Sequence, residues 1–143
     1  MTAQRPKILL SEGSSLSSRE AITALGLAGH RVELVSSDAM CLGRFSRFVG
    51  RVHRAPASGA DPGGYLAKVI EVTKASHIDA LLPVHEQAYL FAAARKQLPA
   101  GLGIALADFE AFEQVQSKAS FVALLTRLKV SQPATDIVRT ADE

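Results

Sequence analysis

Short apolar runs alternate with amphipathic stretches along most of the chain. The runs at residues 7–10, 32–35, 79–83 and 103–106 lack strict apolar and polar alternation, which is typical of parallel strands covered on both faces. A weaker run at 51–53 adds another strand. The pattern predicts an α/β fold, a Rossmann-like three-layer sandwich with a parallel sheet of about five strands in the order 3-2-1-4-5.

Helix boundaries follow from local signals. Ser17 stands three residues before Glu20, which is the spacing of a capping box, and Gly29 suits the left-handed position after the first helix. Pro62 fits a first helical position. Three further helix caps are predicted at Asp61, Asp108 and Ser117.

Composition places the chain among ordinary globular domains. Of its 143 residues, 48% are apolar and 21% charged, which excludes disordered and fibrous classes and makes one domain the default. Cys41 is the only cysteine, so an internal disulfide and a multi-cysteine metal site are excluded. The sequence has neither a membrane-length apolar run nor a signal-peptide pattern, and we expect a cytoplasmic protein without membrane partners.

In doubly wound sheets ligands collect at the carboxyl ends of the strands, which directs attention to residues 12–15, 36–38 and 83–86. The first loop has Gly13 but serines at the other positions where a dinucleotide fingerprint requires glycine, and Asp38 lies where a ribose-binding acid would fall. A free-standing nucleotide- or dinucleotide-binding module therefore stays open as an alternative. The other interpretation is an ordinary turn whose serines cap the helix.

Several charged residues have both a functional and a plain interpretation. Glu86, after the fourth strand, could contact a substrate or simply favour a helix dipole. Lys118 stands at a helix start, where the helix dipole disfavours a cation. A bound anion would explain a lysine there, and an exposed lysine without a ligand is the simpler interpretation. The spacing of histidines and acids predicts no metal site and no catalytic group.

Four arginines, mixed with aromatic residues, concentrate positive charge between residues 44 and 54. Such a stretch could meet phosphates or single-stranded nucleic acid, and it is the only support for a non-catalytic interaction domain. A solvated loop edge with inward-packing aromatics is the commoner arrangement, so nucleic acid is not an expected partner. The arginines are Arg44, Arg47, Arg51 and Arg54.

The C-terminal end departs from the alternation. Pro133 stops the last helix, residues 136–139 form another extended segment, and residues 140–143 have capping-box spacing with no helix after them. We expect a truncated domain to begin at residue 136. A frayed polar tail is the alternative.

Four groups of residues, taken in their order and spacing, carry a resemblance that covers nearly the whole chain. They are Ile8 to Gly29-His30-Arg31-Val32; Arg44-Phe45-Ser46-Arg47 with His53-Arg54-Ala55-Pro56; Asp79-Ala80-Leu81-Leu82-Pro83 with Glu86; and Ser117-Lys118-Ala119-Ser120-Phe121 with Val130 to Thr135. With them the chain resembles the ATP-grasp enzymes related to biotin carboxylase and the large subunit of carbamoyl phosphate synthase.

The resemblance implies that residues 1–135 are the N-terminal, pre-ATP-grasp domain of a ligase and that residues 136–143 start a missing ATP-grasp domain. Such enzymes use ATP and Mg2+ to activate a carboxylate as an acyl phosphate, which an amine then attacks. In the full-length protein Lys118 would reach the ATP phosphates, and Gly13, Ser14 and Glu86 would contact a small carboxylate or amine substrate. The first loop has fewer glycines than many relatives. The metal-binding acids lie outside the chain, so the fragment is expected to be inactive and to bind no cofactor by itself.

Overall fold

Four parallel strands and five α-helices are formed within residues 5–138, the part of the chain that the computed structural model describes. The strands are β1 (Lys7–Leu10), β2 (Arg31–Ser36), β3 (Val49–Arg54) and β4 (Ala80–Leu82). The α-helices are α1 (Leu16–Leu27), α2 (Pro62–Ala75), α3 (Gln87–Ala93), α4 (Phe109–Gln116) and α5 (Lys118–Arg127). Short 3-10 turns occupy Leu42–Phe45 and Arg95–Gln97.

The sheet has the order β3-β2-β1-β4, as predicted for its first four strands. The predicted fifth strand at 103–106 is reduced to one bridge, in which Gly103 pairs with Ala80 through hydrogen bonds to Leu81 and Asp79. A Cβ on residue 103 would stand 3.1 Å from the Asp79 carbonyl oxygen, so glycine permits this close approach. Pairing does not continue beyond it, and the strand count is four rather than five.

Apolar side chains cover both faces of the sheet, which gives the predicted three layers. Leu9 and Leu81 point to one face and pack with α2 and α3, where Phe91 is fully buried. Leu10 and Leu34 point to the other face and pack with α1 and the 3-10 turn. The continuous apolar runs of the sequence therefore reflect burial on both sides.

The helix caps agree with the sequence except at α1. Its cap is Ser15, whose hydroxyl accepts a hydrogen bond from the Ser18 amide, while the predicted cap Ser17 lies inside the helix. The cause is the preceding turn, because Glu12 already binds the Ser15 amide and fixes where the helix begins. The caps confirmed in the structure are Asp61, Asp108 and Ser117, and Gly29 has the expected positive φ of 82°.

The four arginines of the basic stretch do not share one surface, and two of them lie on the edge strand β3. Arg51 pairs with Glu33 and Arg54 with Ser36, so the two side chains leave opposite faces of the sheet. Arg44 donates to the Ala39 carbonyl at 2.7 Å, and Arg47 lies over the Phe48 ring. The stretch therefore forms no single basic face, and the charges on β3 guard an exposed sheet edge against pairing with other chains.

The chain divides into two compact units, residues 1–106 and 107–143. The first contains the sheet and both apolar clusters, and the second contains α4 and α5. The predicted boundary after residue 135 falls within the second unit and stays a prediction. Residues 136–138 have no regular structure, and the predicted capping box at 140–143 lies outside the described residues. No helix among residues 5–138 is long and apolar enough to cross a membrane.

Replacing Phe91 should show how strongly the α2 and α3 face of the sheet holds the first unit together. Phe91→Ala removes a fully buried ring beside Tyr65, and we expect the free energy of unfolding to fall by about 3–5 kcal/mol. Phe45→Ala is a matched control, because that ring is 66% exposed and its loss should cost less than about 0.5 kcal/mol. Urea unfolding followed by circular dichroism measures both, and equal losses would contradict this account of the core.

Candidate functional site

A cavity of about 140 Å³ opens at the carboxyl edge of the sheet in the first unit. It collects side chains from the loops after β1, β2 and β3 and from the start of α3, which is where ligands bind in sheets of this type. Two of the three loops singled out from the sequence contribute to it. The lining residues are Ser11, Glu12, Ser14, Val35, Ser36, Ser37, Pro56, Ala57, Ser58, Gly59, Tyr65 and Gln87.

Glu12 closes the start of α1 with its own carboxylate. The carboxylate accepts hydrogen bonds from the Ser14 amide, from the Ser15 amide at 3.0 Å and from the Ser18 hydroxyl at 2.8 Å. Burial raises the pKa of Glu12, but these hydrogen bonds outweigh burial and hold the pKa below its ordinary value of 4.5. A negative charge thus occupies the position at the helix start where Rossmann-type folds bind phosphate.

The glycine of this turn is required by packing. A Cβ on Gly13 would stand 2.9 Å from the Cys41 sulfur and 3.0 Å from a Leu34 methyl group, and the Gly13 carbonyl accepts the Gly43 amide at 2.7 Å. Asp38 uses its carboxylate locally, accepting the Met40 amide at 2.8 Å. Both features that suggested a dinucleotide module therefore have structural explanations, and Glu12 fills the phosphate position.

Ser11 forms the floor of the cavity and is almost fully buried. Its hydroxyl accepts the Val84 amide at 2.9 Å, and its carbonyl accepts the Tyr65 hydroxyl at 2.5 Å. Burial raises the pKa of Tyr65 far above its ordinary value, so this side chain acts as a hydrogen-bond donor and not as an acid. Through Ser11, the turn after β1 is joined to α2 and to the loop after β4.

Gln87 supplies the far wall of the cavity from the first turn of α3. Its amide nitrogen donates to the Ser58 hydroxyl at 3.4 Å, while its carbonyl oxygen is buried without a hydrogen-bond partner. Buried acceptors are normally satisfied, so an unpartnered one at a cavity is a feature to explain. Sequence reasoning stopped one residue earlier, at Glu86, because nothing in the pattern shows which residue of the first turn faces inward.

The predicted site residues are only partly brought together. Ser14 lines the cavity, whereas Gly13 lies behind it and Glu86 is exposed at the start of α3 without a capping bond. His85, beside Glu86, has a positive φ of 61°, a conformation that costs a non-glycine residue energy and is enriched at functional sites. Lys118 is exposed at the start of α5 in the second unit. The roles of these residues stay predictions.

A second polar cluster lies toward the amino edge of the sheet, and its side chains bind one another. The Glu33 carboxylate meets His53 Nε2 at 2.5 Å and Lys7 Nζ at 3.4 Å, and Lys7 also donates to the Ser76 carbonyl at 2.7 Å. Burial raises the pKa of Glu33, but its hydrogen bonds and the charge of Lys7 hold it below the ordinary value. These contacts join β1, β2 and β3 to one another and to the end of α2.

Comparison with known proteins places the fold. No family model matches the chain, and no curated protein matches it significantly. Solved structures do match, although their sequence identity is low. The biotin carboxylase domain of a single-chain bacterial carboxylase matches with a TM-score of 0.66 and 22% identity over 96% of this chain, and the L-amino acid ligase from Bacillus licheniformis with 0.68 and 17% over 92%. The pyruvate carboxylase from Rhizobium etli matches with 0.65 and 19% over 94%.

The chain shares its fold with part of each of these three enzymes. It spans 32% of the length of the first two proteins and 13% of the third. The resemblance stated from the sequence is therefore confirmed at the level of the fold. Within residues 5–138, no three side chains of His, Cys, Asp or Glu meet as metal ligands would.

The Glu12 contacts should be visible in how stability depends on pH. Because the pKa of Glu12 is lower in the folded chain than in the unfolded one, its stabilisation is present above pH 4.5 and is lost as pH falls through the folded pKa. Glu12→Gln should lower the free energy of unfolding near neutral pH and flatten its fall in acid. Glu20→Gln, the same change at an exposed position of α1, is the control. Thermal unfolding from pH 7 to pH 3 measures this, and an unaltered acid limb in Glu12→Gln would refute it.

Proposed function

We propose that this chain is the substrate-side domain of an ATP-dependent carboxylate-amine ligase and that it is inactive alone. The observation that carries the proposal is the pre-ATP-grasp fold, which extends over more than nine-tenths of the chain in the first three matches. One of those matches is named a ligase and two are carboxylase structures. In this proposal the cavity at the carboxyl edge forms one wall of the active site.

The proposed reaction has two steps. A substrate carboxylate oxygen attacks the terminal phosphorus of ATP, ADP leaves, and an acyl phosphate forms. The amine lone pair then attacks the carbonyl carbon, inorganic phosphate leaves with the carbon–oxygen bonding pair, and the nitrogen gives up a proton as the amide forms. The contribution of this domain is to hold a substrate group in a fixed position, which lowers the entropy cost of the attack.

The groups that would hold ATP and magnesium are proposed to lie mainly outside this chain. The described residues form no cluster that suits magnesium, which needs several oxygen ligands. Lys118 is the one residue here proposed to meet nucleotide, since it stands next to the Ser117 cap, where helix amides and an ammonium could share a phosphate. The full-length parent is also proposed to contain the ATP-grasp domain as the partner of this unit.

The first test of this function is catalysis by the chain alone. We expect no phosphate release above background from magnesium-ATP with a panel of carboxylates and amines, whereas the parent with its ATP-grasp domain should release phosphate. A coupled phosphate assay on both proteins measures this. Turnover by the isolated chain that disappears in Lys118→Ala would contradict the proposal that the activity needs the second domain.

Lys118 should matter for nucleotide binding and hardly at all for stability. Lys118→Ala removes an exposed side chain, so the free energy of unfolding of this chain should change by no more than about 0.5 kcal/mol. In the parent, loss of one charge-assisted contact to phosphate should weaken ATP binding roughly tenfold to hundredfold. Lys129→Ala, elsewhere in the second unit, is the charge-matched control. Calorimetric titration with ATP decides, and unchanged affinity in Lys118→Ala would make the residue an ordinary surface lysine.

A further inference from the structure

We infer that the cavity at the carboxyl edge binds an unphosphorylated group that donates hydrogen bonds, such as an amine, and that Glu12 excludes phosphate from it. The inference rests on the proposed function only in taking the cavity as a substrate site. It goes further by naming the chemistry of the group that is held there. Three observations on different residues support it.

The first observation is that the anion position at the start of α1 is already filled. The Glu12 carboxylate takes the amides of Ser14 and Ser15 and the hydroxyl of Ser18, which are the donors that a phosphate would need. A phosphate in the cavity would have to displace this carboxylate or stand beside a like charge. Both alternatives are unfavourable, because Glu12 is negative at neutral pH and its pKa is lowered further by these contacts.

The second observation is the balance of charge around the cavity. Its lining contains one carboxylate and no lysine or arginine among the described residues. Phosphate-binding sites normally supply positive charge, from arginine or lysine, in addition to backbone amides. Five of the lining side chains carry serine hydroxyls, which can accept as well as donate, at Ser11, Ser14, Ser36, Ser37 and Ser58. The site therefore favours a neutral or cationic ligand group.

The third observation is the unpartnered carbonyl oxygen of Gln87. The amide nitrogen donates to the Ser58 hydroxyl at 3.4 Å, whereas the buried carbonyl oxygen has no partner, and a ligand donor would satisfy this oxygen once the side chain turns toward the cavity. The cavity volume of about 140 Å³ equals roughly four or five water molecules, which suits a small amine and not a whole nucleotide. Glu12 on one side and Gln87 on the other would then both accept from the same group.

The test is a titration of the isotope-labelled 143-residue chain followed by backbone amide NMR. The two probes are glycinamide, which has an ammonium and an amide but no carboxylate, and inorganic pyrophosphate. Glycinamide should shift the amides of Ser14, Ser37 and Gln87 saturably at millimolar concentration, and pyrophosphate should leave them in place. Saturable shifts with pyrophosphate, or none with glycinamide, would overturn the inference.

Variants at two positions make the test specific. Gln87→Glu keeps an acceptor and should retain glycinamide binding, whereas Gln87→Leu should weaken it roughly tenfold, the loss of about one good hydrogen bond. Glu12→Gln keeps one acceptor oxygen and should weaken glycinamide by a similar factor, and it should allow pyrophosphate to shift whichever of the Ser14 and Ser15 amides is no longer bound. Glu20→Gln is the charge-matched control and should change neither titration. Equal loss in Gln87→Glu and Gln87→Leu would refute the acceptor role.

The outcome is separable from that of the proposed function. Glycinamide binding to this chain requires no ATP-grasp domain, and phosphate release by the parent does not depend on which group the cavity holds. If the parent releases phosphate and this chain binds pyrophosphate, the inference alone is refuted. If this chain binds glycinamide and the parent is inactive, the proposed function alone is refuted.

Discussion

The turn after β1 has to satisfy every polar group it buries, and the carboxyl edge of the sheet is arranged around that requirement. Ser11 is almost fully buried, and its amide, hydroxyl and carbonyl are bound by Leu82, Val84 and Tyr65 in turn. Glu12 then satisfies the amides at the start of α1. Because unmet hydrogen bonds cost about 1–3 kcal/mol each in a buried site, a change at Ser11 would disturb β4, the loop after it and α2, and a change at Glu12 would disturb the start of α1.

Much of the fold could be read from the sequence because burial on both faces leaves a strong mark. The runs that became β1, β2 and β4 have few polar residues, and the caps Asp61, Asp108 and Ser117 depend only on neighbouring residues. The segment at 103–106 was predicted as a strand but forms a single bridge, at Gly103. Whether a segment pairs with the sheet depends on residues far away in the chain, which a local apolar run does not show. The cap of α1 was also predicted wrongly, because Glu12 binds the Ser14 and Ser15 amides and the helix begins directly after them, with Ser15 as its cap.

The candidate site was harder to predict than the fold. The sequence pointed to the edge of the sheet where the cavity lies and to Ser14, which lines it, because loop positions follow from strand positions. It could not show that the Cys41 sulfur leaves no room for a side chain at Gly13, or that Gln87 and not Glu86 lines the cavity. Both depend on contacts between segments far apart in the chain. A glycine in a first loop therefore indicates close packing as readily as a bound phosphate.

The charged edge strand β3 also gives the sheet a direction of growth. With Arg51 and Arg54 leaving opposite faces, β3 is a poor template for another strand, while the opposite border beyond β4 already accepts Gly103. Any strand gained by insertion or gene fusion would then be added on the β4 side. Enlargement there leaves the loops after β1, β2 and β3 undisturbed, so the parts of the cavity wall that these loops supply would keep their arrangement.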